Sequence, residues 1–268
     1  MDCAVIRRGY GQMEFKKPPV VEAWIEFKFA LTEEARPWDE SAAKEFVQKY
    51  YGEFKHVEFF GLAKVKIDLK TGAAKETDRS LERVRAFSEE RDRCIQGGLN
   101  VVVYNQMKRP NEKWPGYECL RDGAFVALEN YSNYRALSTL ASVSLHYLDI
   151  MAIPREADAK IRLEDYFTVY PSLPDERFGS ISGFGVVMDL PKLCKDAGSA
   201  LSIRTLPPVG PEDDKARFAM DWHVTSKGGI GDWNSAREWL DITHRDLRGA
   251  FEAAFTKDGL KLFEPCEG

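Results

Sequence analysis

From Val21 to Phe29 the chain alternates without interruption between two kinds of residue. Val21, Ala23, Ile25, Phe27 and Phe29 are apolar, and between them stand Glu22, Trp24, Glu26 and Lys28. Successive side chains on a strand point to opposite faces, so this segment has one face to bury and one that wants water or a ligand. A chain that holds it needs a sheet covered on one side only. That is the habit of antiparallel sheets, since parallel ones are sandwiched between helices. Glu22, Trp24, Glu26 and Lys28 then share the uncovered side.

The flanking sequence fits such a sheet. Asp39 or Ser41 can cap a helix running to about Tyr51, with Ala43, Phe46, Val47, Tyr50 and Phe54 as its buried stripe and Gly52 as its stop. Strands are expected over 57–70, broken near Gly61, with a turn at Thr71-Gly72 and a further strand over 81–88. Residues 93–96 and 99–105 read as a hairpin about Gly97-Gly98. A long helix opens near Tyr117, where Leu120, Ala124, Ala127, Tyr131 and Tyr134 step by three and four, and is expected to end near Leu140. A strand follows over 141–153.

The remaining sequence repeats this order. After a short helix or turn over 161–167 come strands at 178–190, 200–206 and 216–225. Pro207, Pro208, Gly210 and Pro211 mark a loop before the last of them. Gly228 to Gly231 form a hinge into a second long helix near Asp232, for which Ser235-Ala236-Arg237-Glu238 reads as a capping box. Its stripe is Ala236, Leu240, Thr243, Leu247, Phe251 and Ala254, and the tail through Leu260, Leu262 and Phe263 packs back. The expected fold is α+β: a largely antiparallel sheet in two similar halves, 1–153 and 154–268, each with a long amphipathic helix packed on it, in one compact unit.

Composition narrows the function classes. With 268 residues, 44% apolar and 30% charged, the chain can bury a sizeable core. A net charge of −5 does not suit broad, salt-driven binding of phosphate backbones, so nucleic acid is not the expected partner. The basic run from Lys64 to Lys70 alternates with Val65, Ile67 and Leu69 and reads as a solvated strand face. Cys3, Cys94, Cys119, Cys194 and Cys266 form no CxxC and no zinc-like spacing with histidine, which points to free thiols in a reducing cytosol. No apolar run has the length of a secretory signal or a membrane span, so a cytoplasmic location without membrane contact is expected.

Apparent catalytic motifs do not survive inspection. His244-Arg245-Asp246-Leu247 spells a kinase triplet but lies within a helix, and Phe251 stands where the required Asn should be. Gly179 to Gly183 is not a nucleophile elbow, and Gly183-Phe184-Gly185 lacks the third glycine of a dinucleotide loop. Two strand faces remain as candidate ligand- or partner-binding sites. Glu22, Glu26 and Lys28 partly match the E-x-E-x-K strand of the triphosphate tunnel enzymes, with Trp24 at the broken position. Arg217, Asp221 and His223 share a face of the strand near 216–225, where Asp221 could orient His223 as a base. Against both stands the plainer reading of polar side chains pairing across a half-exposed sheet. His146 and Asp149 fall on opposite faces of their strand and cannot form a simple pair.

Pro18-Pro19-Val20-Val21-Glu22-Ala23-Trp24-Ile25-Glu26 is similar to the PP-x-x-EA-x-IE opening of a sporadically distributed family of uncharacterised bacterial proteins of about this length. The likeness continues at Leu145 to Ile150, Ile161 to Tyr166, Trp239 to His244 and Phe251-Glu252, and so spans nearly the whole chain. His146 and Asp149 stand where the family pattern has Arg and Asn, which puts any anion-binding role of those positions in doubt here. The resemblance carries no activity. Sporadic distribution implies an accessory system, such as anti-phage defence.

The expected function is a non-catalytic binding or interaction module, without a cofactor or metal, whose partner is another protein or a second copy of the chain. The alternative is a metal-dependent enzyme acting on a nucleotide or polyphosphate in a polar sheet tunnel built on Glu22, Glu26 and Lys28.

Overall fold

The computed structural model describes residues 13–31, 37–67, 74–137, 139–154, 161–172, 183–210 and 214–266, and the side chains of these except for 63–67 and 74–79. The strands are β1 (Val20–Phe29), β2 (His56–Ile67), β3 (Ala74–Phe87), β4 (Arg93–Gly98), β5 (Val101–Met107), β6 (Leu140–Pro154), β7 (Gly185–Asp189), β8 (Ala197–Leu206) and β9 (Lys215–Ser226). The helices are α1 (Glu40–Tyr51), α2 (Tyr117–Arg135), α3 (Trp233–Ala253) and the short α4 (Lys257–Lys261), with one 3₁₀ turn at Leu163–Asp165. The nine strands form a single sheet in the order β2-β3-β4-β5-β1-β6-β9-β8-β7. The pairings are antiparallel throughout. The expected fold class is therefore present, and the sheet runs unbroken through both parts of the chain, because β6 pairs with β1 on one side and β9 on the other.

The apolar half of the β1 alternation does what its pattern demands. Ala23, Ile25, Phe27 and Phe29 are all fully buried beneath the helices. Tyr131 of α2 and Phe46 of α1 close on them, with Phe29 and Tyr131 ring centroids 5.5 Å apart. Leu120, Ala124 and Leu128 of α2 and Ala236, Leu240 and Leu247 of α3 continue this core along the same side. The other side of the sheet is left to the residues between.

Three expectations are corrected in detail. Gly97-Gly98 do not turn the chain but end β4, and the reversal is at Leu99-Asn100. Gly97 is there for closeness: a Cβ would lie 3.1 Å from both Trp38 and Phe46 ring atoms. The first long helix stops at Arg135, where Ala136 takes a left-handed conformation (φ 54°), and Leu140 opens the next strand. Leu137 and Leu140 kept the apolar period going past the true end, so periodicity could not mark it. The capping box at Ser235 does not form. Asp232 is the cap, accepting from the Ser235 backbone N at 2.7 Å, and α3 starts earlier. Asp39 caps α1 as expected, through the Ala42 backbone N at 2.8 Å. The turn at Thr71-Gly72 and the start of the strand expected at 178 lie outside the described residues. No helix among the described residues is long and apolar enough to cross a membrane.

Candidate functional site

Register determines which side chains meet on the uncovered face. β1 sets Trp24 opposite Asn105 of β5 and His146 of β6, and β6 sets His146 opposite His223 of β9. On the far side, Asn105 faces Cys94 of β4, and Cys94 faces Phe87 of β3. Phe87, Cys94, Asn105, Trp24, His146 and His223 therefore form one row across six strands. The next row holds Arg85, Gln96, Val103, Glu26, Ser144 and Thr225. Glu22 lies one row to the other side, on the row of Asp221.

The two candidate faces thus merge. Trp24 stacks on His146 at 4.4 Å between ring centroids, and His146 stacks on His223 at 3.9 Å. Burial pushes the His146 imidazole down to about 3, with the neighbouring His223 and Lys28 acting the same way, so this ring is neutral at physiological pH. His223 Nε2 and Thr225 Oγ1 are 2.7 Å apart, and Thr225 Oγ1 is 2.8 Å from Ser144 Oγ. The expected base-and-orienter pairing of Asp221 with His223 does not form. The His223 ring is held flat against His146, its Nε2 engages Thr225, and Asp221 Oδ1 is buried with no hydrogen-bond partner among the described residues. Thr225 and His223 have the spacing of a nucleophile and its base. The other ring nitrogen has no acceptor among the described residues to orient it, however, so the third part of such a device is missing. Arg217 shares this face of β9 but lies six residues from His223, roughly 20 Å along the strand, and is not part of the cluster.

Glu26 is taken up by two cations. Its Oε1 is 3.1 Å from Lys28 Nζ, and its Oε2 accepts from Arg83 Nη2 at 3.1 Å. Glu22 behaves differently. Arg85 Nε donates to Gln96 Oε1 (3.1 Å), Gln96 Nε2 to Asn105 Oδ1 (2.8 Å), and Asn105 Nδ2 to Glu22 Oε1 (2.7 Å). Four side chains from four strands form a one-way relay, from a cation through two amides to an anion. Gln96 and Asn105 are nearly inaccessible at 7% and 5%, and each makes the bonds a buried amide requires in this direction.

Above the relay is a cavity of about 370 Å³ lined by Glu22, Trp24, Arg83, Arg85, Phe87, Cys94, Gln96, Val103 and Asn105. Its volume lies within the range of small-molecule pockets. The short buried side chains Cys94, Gln96, Val103 and Asn105 make the floor, and Phe87 and Trp24 stand at either end of the same row. Burial pushes the Cys94 thiol up to about 12, which disfavours the nucleophilic thiolate.

Of the expected site residues, Glu22 and Trp24 line this cavity; Glu26 is tied to it through Arg83 and pairs with Lys28, His223 lies beyond Trp24 and His146, and Arg217 and Asp221 are not part of it. The sequence reading missed Arg83, Arg85, Gln96 and Asn105. A signal existed, in that Gln96 and Asn105 are amides within otherwise apolar strands, but their meeting depends on a register that no single strand contains. No protein-family model matches the chain, and no curated protein does either.

Proposed function

We propose that the chain is a non-catalytic binding module and that it holds a small ligand in the cavity between β3 and β1. The relay Arg85–Gln96–Asn105–Glu22 carries this reading. Its side chains are fixed by their own hydrogen bonds before any ligand arrives, and such preorganisation lowers the cost of binding. The groups that could do covalent chemistry nearby are poorly set for it: the Cys94 thiol is suppressed, and His223 lacks an orienting partner. The phosphate-enzyme alternative needs free carboxylates, and Glu26 is already engaged by Lys28 and Arg83. An accessory system, as the family resemblance implies, is the setting we favour.

The test is native mass spectrometry of the purified protein after incubation with a small-molecule extract, beside Val103→Phe, which puts a ring into the cavity. Adducts on the unaltered protein that vanish in the variant are the expected result. Equal adducts on both, or a hydrolytic turnover abolished by changing Thr225 or His223 alone, would overturn the reading.

We also infer that the chain is built from two similar halves, with the division falling before β6 and not at 153–154. In each, a first strand (β1, β6) sits at the sheet centre and a three-strand meander follows (β3-β4-β5, β7-β8-β9). The last meander strand pairs with the first, and a long helix comes next (α2, α3). A crystal structure in which α2 and α3 cross their strands at unrelated angles would end this inference.

A further inference from the structure

The cavity has a charge at each of two corners, and neither forms an ion pair with a described residue, although Glu58 of β2 stands opposite Arg85 in register. Among the described residues, Glu22 receives only the Asn105 amide, and Arg85 gives only its Nε to the Gln96 amide. Glu26, on the row of Arg85, instead holds two cations. Arg85 lies over the Phe60 ring at 4.5 Å, and among the described residues the two terminal nitrogens of its guanidinium have no hydrogen-bond partner. Glu22 keeps its Oε2 as an acceptor in the same state. The two positions are three strand spacings apart across the sheet and four residues apart along it, roughly 20 Å at the backbone, and both side chains reach in to line the cavity between them.

A partly buried charge without a counter-ion is costly to hold, and a ligand that supplies the counter-ion gains a charge-assisted hydrogen bond at little cost in ordering. Glu22 selects a cation, and the planar fork of Arg85 selects an oxyanion that can take two N–H bonds at once. Phe87 and Trp24 border the space between with flat apolar surfaces.

Resting on the binding reading above, we propose that the cavity takes a small dipolar molecule, with an ammonium or amidinium group at Glu22, a carboxylate or phosphate-type group at Arg85, and a flat or apolar body between. The relay beneath gives the site its polarity, since its donors all point from Arg85 toward Glu22. A ligand lying in the opposite sense would bring like charges together at both ends.

The probes are 4-(aminomethyl)benzoate and the ω-amino acids from 4-aminobutanoate to 8-aminooctanoate, with benzoate, benzylamine, N-acetylated and methyl-esterified probes and inorganic phosphate as controls. Affinity is read by NMR titration of the unaltered protein. The expected result is a length optimum within the dipolar series and at least a tenfold loss on acetylation or esterification. Glu22→Gln and Arg85→Gln should each lose at least tenfold while keeping the relay and the melting temperature. The probe comparison on the unaltered chain needs no variant to fold. If phosphate or benzoate binds as tightly as the dipolar probes and Glu22→Gln changes nothing, the cavity is an anion site and the proposal falls. If extract molecules bind in a way that Val103→Phe blocks but no dipolar probe does, the proposal falls and the binding module stands. If nothing binds that Val103→Phe blocks, both fall.

Discussion

At the scale of single residues, the chain separates its buried polar groups into those that are satisfied and those that are not. Gln96 and Asn105 are buried and bonded, whereas Asp149, on the helix side of β6, is 2% exposed and its Oδ1 has no hydrogen-bond partner among the described residues. Burial raises its carboxyl to about 7, against the opposing pull of the nearby Trp222 indole and with Asp221 adding to the rise. The ordinary value is 3.8, so the folded chain binds the extra proton between about 4 and 7. Asp149 therefore contributes stability that is fully present in acid and is lost as pH rises to about 7. His146 and His244 oppose it: burial lowers them to about 3 and about 4, so their contribution is present above 6.5 and lost as pH falls. Asp149→Asn isolates the first effect. Relative to the variant, the unaltered chain should lose on the order of 4 kcal/mol between about pH 4 and pH 7 and nothing further above it. Urea unfolding at about pH 4.5, 6 and 8 measures this, and a difference that does not change with pH would show that Asp149 ionises as freely as in water.

At the scale of elements, what could be read from the sequence and what could not divide along physical lines. The two faces of β1 were legible because a strand's period is local, and so were the stripes of α1 and α3. The cavity was not, because it needs Phe87, Cys94, Asn105 and Trp24 aligned across four strands, and each register depends on turns placed elsewhere in the chain. The shift of the hairpin turn from Gly97-Gly98 to Leu99-Asn100 is an instance: glycine usually signals a turn, but Gly97 answers to the Trp38 and Phe46 rings. Gly123 is a second case of the same kind. It sits in the middle of α2, where glycine weakens a helix, and a Cβ there would come within 2.5 Å of the buried Tyr104 ring of β5. Gly123→Ala should therefore destabilise the chain by about 1–3 kcal/mol, although the helix itself would gain about 1 kcal/mol from the change. Chemical denaturation decides the sign. A stabilised variant would show that α2 can lift off β5 at no cost, and with it that the floor of the cavity is less rigid than the binding reading requires.

At the scale of the molecule, the division at 153 and 154 has no counterpart in the sheet. β6 is the last strand of the first part, yet it is paired along its length with β9 of the second, and the Trp24–His146–His223 stack crosses the same line on the open face. On the helix side, Tyr117 of α2 stacks on His244 of α3 at 3.9 Å and donates to Asp241 at 2.8 Å. Two parts tied through a central strand, a ring stack and a helix pair should unfold together. Hydrogen exchange followed by mass spectrometry through a urea series should find the segments 93–107 and 197–206 opening at the same denaturant concentration, with one calorimetric transition. Two midpoints would make the halves independent folding units joined by pairing alone. That outcome would matter for the site as well, because every residue lining the cavity lies in the first part, between Glu22 and Asn105. A first half that stayed folded after the second had opened would keep its relay. Coincident opening means instead that the second half, which gives no residue to the cavity, holds its floor in register through β6.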